Sequence, residues 1–504
     1  MEWLWSSTLC SILIILPVLL WRWTRNSGSK LPPGPRGWPI IGNIFDVGTL
    51  PHRSLAVLKQ KYGPIVWLNL GAINTMVVVS ADAAEELFKN HDLSFIERTV
   101  IETTRSHDYY KSSMGVGSFG PYVRSLRRIC TVEMLSNKKI NETVCIRQKC
   151  VTDLCWWIEK QVDCSEGGIE VKKFVFSSVF NMIGNMILSR DLVDPTSEMV
   201  LEFSAAITGI MECVGCPNVS DFFPWLRWFD LQGLRRRMDR ILAKLVEITS
   251  RMVKERLEEG GGGPQRKDFL DMLLDFEVIN ENDEPAKLSE FQISIFLMEM
   301  FIGGTETIST SIEWAMTELF QNPEAMIKIK AELGRVVGTN KKFEDRDIDN
   351  LHYLQATVKE TLRLHPPTPL LLSRKALRNT NFMGYNIPKN TQVFVNAWAI
   401  GRDPECWDDP LSFKPQRFLD SNIGYNGQHF EFIPFGAGRR ICPGIQLAHR
   451  ELPLILGTLL HHFDWELPNN VTSKTVDMTE TMGLTATKLK PLKAIPKRSV
   501  HGLN

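Results

Sequence analysis

The residues with the most chemistry in their spacing are Phe435-Gly-Ala-Gly-Arg-Arg-Ile-Cys-Pro-Gly444. They fit FxxGxRxCxG through Phe435, Gly438, Arg440, Cys442 and Gly444. At ~5% usage per residue type, such a coincidence occurs in roughly one window per million. A lone buried cysteine is usually an inert small hydrophobe. This one has a frame. Glycines allow a tight turn and let backbone N–H groups approach the sulfur. The run Ile445-Gln-Leu-Ala-His-Arg-Glu-Leu then reads as a helix, whose N-terminal end is expected to lower the thiol pKa. Such a thiolate can hold a haem iron as its axial ligand. Phe435 can cover the sulfur side of the ring. Arg440 can pair with a propionate through a charge-assisted bond.

Three further constellations bear on that chemistry. Glu360-Thr-Leu-Arg363 places an acid and a base three residues apart, on one helix face. As an exposed pair it would contribute under ~1 kcal/mol. Gly303-Gly-Thr-Glu-Thr307 lies inside a long apolar run. Two glycines in mid-helix cost about 2 kcal/mol relative to alanine. Close approach of a flat cofactor or of O2 explains them, since glycine removes the blocking side chain. Glu306 and Thr307 then supply an acid and a hydroxyl beside that space. Third, Gly120-Pro-Tyr-Val-Arg-Ser-Leu-Arg127 offers basic groups on a helix.

With these motifs the chain resembles the cytochrome P450 monooxygenases, from about Leu31 to its C-terminal end. The resemblance implies haem b with Cys442 as iron ligand. It implies haem contacts from Arg127, Arg374, Phe435, Arg440 and Gly444, and a proton-delivering pair in Thr307 and Glu306. It adds Arg417 of Pro415-Gln-Arg-Phe418 to Glu360 and Arg363 as a structural triad. Two departures stand out. Val123 occupies the position where the family usually carries Trp, so weaker haem retention is expected, with Val123→Trp slowing haem loss. Ile308 follows the oxygen-activating threonine in place of Thr or Ser.

These residues need elements to position them. Ile65–Leu70 and Thr75–Val79 read as β-strands around a Gly-containing turn. Beyond them the periodicity predicts long amphipathic helices, including one over Leu288–Phe320. The fold class is therefore mainly α with small β-sheets. Residues 255–268 read as a Gly-rich surface loop. Gly115-Val-Gly-Ser-Phe-Gly120 fits GxGxxG, but no strand precedes it and Pro121 follows, so it is no dinucleotide fingerprint.

Composition adds limits. A length of 504 residues suggests about three domains as a first prior. The spread of motifs favours one haem domain over 31–504 after an anchor at 1–30. Lys plus Arg and Asp plus Glu both total 58, which argues against a nucleic-acid partner bound through an overall basic surface. Ten scattered cysteines fit a reducing compartment. Cys213 and Cys216 form a single CxxC without the second pair that a structural zinc needs. Trp3–Trp23 is apolar and just long enough to span a bilayer, with Trp at both ends and Arg22, Arg25 and Lys30 on the C-terminal side. This predicts a retained single-pass anchor with the catalytic part in the cytosol. Leu31-Pro-Pro-Gly-Pro35 follows as a stiff joint.

No flavin or nicotinamide site is legible. The resemblance implies electrons from an endoplasmic-reticulum NADPH–cytochrome P450 reductase, docking on Arg124, Arg128, Lys138, Lys139 and Arg439. Ala397–Trp407, Phe413–Phe418 and Phe463–Pro468 resemble the plant microsomal terpenoid and alkaloid oxidases, most of all the branch holding iridoid oxidase and geraniol 8-hydroxylase. A small apolar monoterpenoid or iridoid substrate is expected, together with O2. A diterpenoid or alkaloid hydroxylase, and an O2-independent haem-thiolate isomerase or dehydratase, are the alternatives. The pocket is expected to draw on Glu97–Gly120, Phe296–Thr305, Thr368–Ser373 and Thr481–Thr485. Leu370–Leu372, Met482 and Leu484 would make it apolar, and His107, Tyr109 and Tyr110 would fix a substrate oxygen.

Overall fold

The computed structural model describes residues 30–162, 167–258, 268–279, 284–338 and 341–498. The anchor expected over Trp3–Trp23 and positions 259–267 of the Gly-rich loop lie outside the described residues. The rest is mainly helical with small sheets, as the sequence predicts. The helices that carry the site are α1 (Pro121–Ile129), α2 (Val144–Glu159), α3 (Val171–Leu188), α4 (Glu198–Gly215), α5 (Leu234–Glu258), α6 (Glu290–Gln321), α7 (His352–Leu364) and α8 (Ile445–His462).

Helix α6 is the axle of the structure. Its 32 residues span about 48 Å at 1.5 Å per residue. Ser289 and Gln292 form a capping box that starts it, each side chain accepting from the other's backbone N–H. Helices α3, α5, α7 and α8 pack around it. Apolar residues face outward on most sides, so the helix is buried nearly all round. Phe180 of α3 stacks on Phe301 of α6 at 4.6 Å, and Phe203 of α4 meets both rings edge-on. Glu198–Phe222 is long and apolar enough to cross a membrane. Its Phe203 and Ile207 are nevertheless buried in this core.

The main sheet holds β1 (Ile65–Leu70), β2 (Ile73–Val78), β3 (Glu97–Arg98), β4 (Arg374–Lys375) and β5 (Gln392–Val395), in the order β1-β2-β5-β4-β3. Strand β5 runs parallel to β2, with Val393 opposite Met76, and the other pairs are antiparallel. Gly71 makes the β1–β2 turn with φ +58. A Cβ there would stand 2.4 Å from the Phe222 carbonyl oxygen, which accepts from Ala72 N–H instead. The Pro-rich joint lies against β1, where Trp67 N–H donates to the Pro33 carbonyl at 2.8 Å. A hairpin of β6 (Glu480–Met482) and β7 (Ala486–Lys488) completes the elements near the site.

The acid–base pair on α7 is fully buried. Arg363 donates to both oxygens of Glu360 at 2.7 and 2.8 Å, and Arg417 donates to Glu360 at 3.0 Å. Lys414 N–H adds a fourth donor at 2.7 Å. Arg363 also ties down the Pro410 carbonyl at 2.7 Å. Both guanidinium groups lie over the Trp407 ring. The network thus pins the loop before the Cys442 frame to the core. Breaking a buried charged network leaves an unpaired ion, which costs roughly 3–5 kcal/mol. Glu360→Gln is therefore expected to lower the unfolding midpoint sharply and to abolish the thiolate-type Soret band of the reduced CO complex. An unchanged melting curve would show that this pinning is dispensable.

Candidate functional site

Cys442 stands at the floor of a cavity of about 370 Å³. Its N–H donates to the Phe435 carbonyl at 3.0 Å, which closes the turn that the glycine spacing predicts. Gly436 and Gly438 take φ of +73 and +72, the region that favours glycine. A Cβ at Gly438 would also lie 2.5 Å from Asp92 Oδ1. Helix α8 starts at Ile445 with Gly444 as its N-cap, and the Gly444 N–H bonds the sulfur. Burial nevertheless pushes the Cys442 thiol up, against the pull of Gly444 and Arg127. The expected lowering by the helix end is thus outweighed by the apolar surroundings. A haem iron held by Cys442 would supply the missing charge, since a ligating thiol is deprotonated outright. Phe435 lines the cavity and tilts against Tyr425 at 5.1 Å.

Four arginines close enough to act on one another line the cavity: Arg98, Arg127, Arg374 and Arg440. Arg127 donates to the Ile441 carbonyl. Arg374 pairs with Asp92 at 2.7 Å and reaches the Ala437 carbonyl at 3.1 Å. Arg440 donates to the Gly117 carbonyl at 2.6 Å, while its buried Nε has no partner. Burial and then Arg127 pull Arg440 down to about 10. Arg98 was not singled out from the sequence. It is fully buried and held well below the usual arginine range by desolvation and then by the other three cations. Asp92 and Glu97 offset part of this charge. The cluster therefore requires anions, and the two propionates of a haem are a fit.

Another part of the wall is the middle of α6. The two glycines expected there have separate reasons. A Cβ at Gly303 would meet open cavity. At Gly304, which also lines the cavity, it would stand 2.2 Å from Ile183 Cδ1, so this glycine serves the packing of α3 on α6 as well. Thr307 lines the cavity, its hydroxyl donating to the Gly303 carbonyl at 2.7 Å. Glu306 does not line it. Its carboxylate turns to α3, where Lys172 Nζ lies at 2.6 Å, and also accepts from Thr310 at 3.3 Å. Adjacent helix residues point about 100° apart, and here it is the Glu306 side chain that is turned away from the cavity. Ile308 is buried at the cavity edge.

The four expected pocket segments all reach the cavity, through Met114 and Val116, Ile302, Leu371 and Leu372, and Leu484. Ile183 of α3 and Ile210, Met211 and Val214 of α4 also line it and were not anticipated. They are generic apolar helix residues with no local signature. Leu370 and Met482 line an adjoining cavity nearer the β1–β2 sheet. Of the three aromatic groups expected to hold a substrate oxygen, only Tyr109 reaches the cavity, and its hydroxyl is taken by Glu299. His107 points out to the Asp239 carbonyl, and Tyr110 lies under Arg105 and Lys111.

The family model of the cytochromes P450 matches residues 32–494. The chain belongs to the cytochrome P450 family. It is 54% identical to cytochrome P450 76A2 of Solanum melongena, over 99% of this chain and all of the relative. It is 48% identical to iridoid oxidase of Catharanthus roseus, over 97% of this chain and 96% of the relative. A solved zebra fish cytochrome P450 with progesterone superposes with a TM-score of 0.75 at 24% identity, covering 89% of this chain and 99% of that one, which establishes the fold. The enzyme is thus a haem-thiolate monooxygenase of the plant terpenoid-oxidase group.

In this P450, the surroundings of Val123 argue for an effect of Val123→Trp opposite to the one expected from sequence. Its side chain is buried and sits close under Gly117, where an added Cβ would lie 3.1 Å from Val123 Cγ2. An indole has no room there unless the Gly117 strap, which Arg440 holds, is displaced. Overpacking of this kind costs about 1–3 kcal/mol. Val123→Trp is accordingly expected to lower the melting temperature and to speed haem transfer to apomyoglobin. Slower haem transfer would mean that the strap can move aside.

Proposed function

We propose that this P450 is anchored in the endoplasmic-reticulum membrane by residues 1–30, carries its haem in residues 31–504, and oxidises a monoterpenoid of the iridoid type with O2. Electrons come from NADPH–cytochrome P450 reductase. The observation that carries the substrate is the 48% identity with an iridoid oxidase across nearly the whole of both chains. The walls agree with it. Met114, Val116, Ile302, Leu371, Leu372 and Leu484 present hydrocarbon, which suits a small terpenoid skeleton.

The haem, held by the Cys442 thiolate, supplies O2 activation when bound. The chain's own residues do the rest. Arg98, Arg127, Arg374 and Arg440 seat the propionates. The missing side chain at Gly303 leaves space beside Thr307. The Thr307 hydroxyl, now donating to the Gly303 carbonyl, turns to hold a proton over that space. Lys172 is partly exposed and touches buried Glu306, so the pair leads from solvent to the helix turn that carries Thr307. Protons reach the cavity along this side.

Two surfaces support the partners. Arg124, Arg128 and Lys138 are exposed on and after α1, on the Cys442 side, and make a basic docking face. Lys139 is engaged with Glu142 at 3.0 Å and contributes less. Arg439 is about half-exposed, with Asp92 at 3.9 Å. Trp225, Trp228 and Phe229 are exposed, Trp228 to 82%. Backbone bonds from Gly71 to Ile41 and from Ala72 to Phe222 join that segment to the stretch carrying exposed Trp38, Ile40 and Phe45. An aromatic face of this kind suits a bilayer interface, and it lies beside the joint that follows the anchor.

Membranes containing the full chain and reductase, fed nepetalactol, geraniol, abietane dienes and benzylisoquinolines separately, are expected to oxidise the monoterpenoids with the highest kcat/KM. Preferential turnover of an abietane or an alkaloid would overturn the substrate reading. Thr307→Ala is expected to cut product formed per O2 by on the order of tenfold or more. Lys172→Met, which leaves Glu306 without its cation, should do so to a lesser degree. Unchanged coupling in both variants would remove this route for protons.

A further inference from the structure

One wall of the cavity is shaped by a carboxylate that the reaction itself does not use. Glu299 lies on α6 four residues before Gly303 and eight before Thr307, so the three share a helix face. Both Glu299 and Thr307 line the cavity. The Glu299 side chain gathers a strap of the chain that follows β3. The Tyr109 hydroxyl donates to it at 2.7 Å, the Ser113 hydroxyl donates to the same oxygen, and Met114 N–H donates to the other at 2.8 Å. The Gly115 backbone N–H bonds it as well. A carboxylate offers about four lone-pair sites. Four neutral donors fill them, so no acceptor remains for a substrate. Two of the donors are backbone N–H groups, which cannot reverse direction. The arrangement is therefore built for the ionised acid, although burial pushes Glu299 up.

The carbonyl side of the same strap is held by the arginine cluster. Arg440 donates to Met114 and Gly117 carbonyls at 3.4 and 2.6 Å. Arg98 donates to the Gly115 carbonyl at 3.2 Å. The peptides of Met114–Gly117 thus run between an anion on their N–H side and two cations on their C=O side. Met114 and Val116 present their side chains to the cavity from this strap.

We propose that Glu299 is a positioning residue that sets substrate selectivity by holding Tyr109–Val116 as a fixed wall, clamped between α6 and the arginines that seat the haem. This rests on the haem-thiolate reading of the cavity and is independent of the iridoid reading. Glu299→Gln keeps the size of the side chain. It removes the charge and places an amide N–H2 against N–H donors, so the clamp opens on one side. Tyr109→Phe and Ser113→Ala each remove one donor of the four.

The test uses full-length enzyme and two nitrogen ligands of the iron, imidazole and 4-phenylimidazole, titrated by difference spectroscopy. Imidazole reports the haem alone, and the phenyl group reports the wall. In Glu299→Gln, imidazole affinity is expected to hold within about twofold. 4-Phenylimidazole should weaken by on the order of tenfold, as the loss of a charge-assisted hydrogen bond implies. Smaller losses of the same sign are expected in the Tyr109 and Ser113 variants. An unchanged ratio of the two affinities, with the thiolate-type CO band intact, would overturn the proposal. If Glu299→Gln loses that band, the two single-donor variants decide: an unchanged ratio in both overturns it. A wild-type enzyme without the band would overturn the haem-thiolate reading, and this proposal with it, whereas failure to oxidise a monoterpenoid leaves the azole result standing.

Discussion

A buried excess of positive charge is the constraint on which the rest of this structure depends. Arg98 stands on β3, Arg374 on β4, Arg127 on α1 and Arg440 in the Cys442 loop. Four separate parts of the chain thus point guanidinium groups at one space. Two unit charges 4 Å apart repel by about 4 kcal/mol at an effective dielectric of 20. Asp92 relieves part of this by pairing with Arg374 and accepting from Arg439 N–H. The remainder calls for the propionates. A ligand that completed the charge balance would also tie the sheet, α1 and the Cys442 loop to one another, and so couple haem binding to folding. The same arginines spend their other donors on carbonyls of Ile441, Ala437 and Gly117, so the frame around Cys442 and the strap above it share one set of cations.

Helix α6 divides its faces between incompatible tasks, which explains its odd composition. One face carries Glu299, Gly303 and Thr307 toward the cavity. Another carries Gly304 against Ile183 and Glu306 against Lys172 of α3. The glycine pair thus combines an opening with a close packing contact. The two acids are treated in opposite ways. Glu306 has a cation that reaches solvent, Lys172. Glu299 has only neutral donors and no outlet, so it serves geometry.

Legibility in the sequence followed locality. The Cys442 frame, the Glu360–Arg363 pair and the Gly303–Thr307 run are short, and each lies on one element whose geometry fixes which residues meet. The strands at 65–79 and the helix over 290–321 were legible from periodicity for the same reason. Arg98, Lys172 and Glu299 act across gaps of many residues and carry no frame of their own. Arg98 meets Leu372, and Lys172 meets Glu306, only once the fold exists. For Val123 the family position states what is usual and not what space is left, so its surroundings had to be seen. His107 and Tyr110 were misread because a short helical turn with positive φ at His107 and Asp108 turns them outward.

The apolar residues that line this cavity carry little specificity of their own. Apolar contact is non-directional and scales with area, so Ile302, Leu371 and Leu484 accept many skeletons about equally well. What can distinguish one skeleton from another is where each wall stands relative to Thr307 and the sulfur. A shift of about 1 Å in such positioning can cost on the order of a hundredfold in rate. The distal wall from Tyr109 to Val116 contains a four-residue helix and a Gly-rich turn, with little regular structure to hold it. Its position is set from outside, by Glu299 on one side and by Arg98 and Arg440 on the other. On the proposed role of Glu299, selectivity in this enzyme follows from charges that place the wall rather than from the apolar contacts themselves.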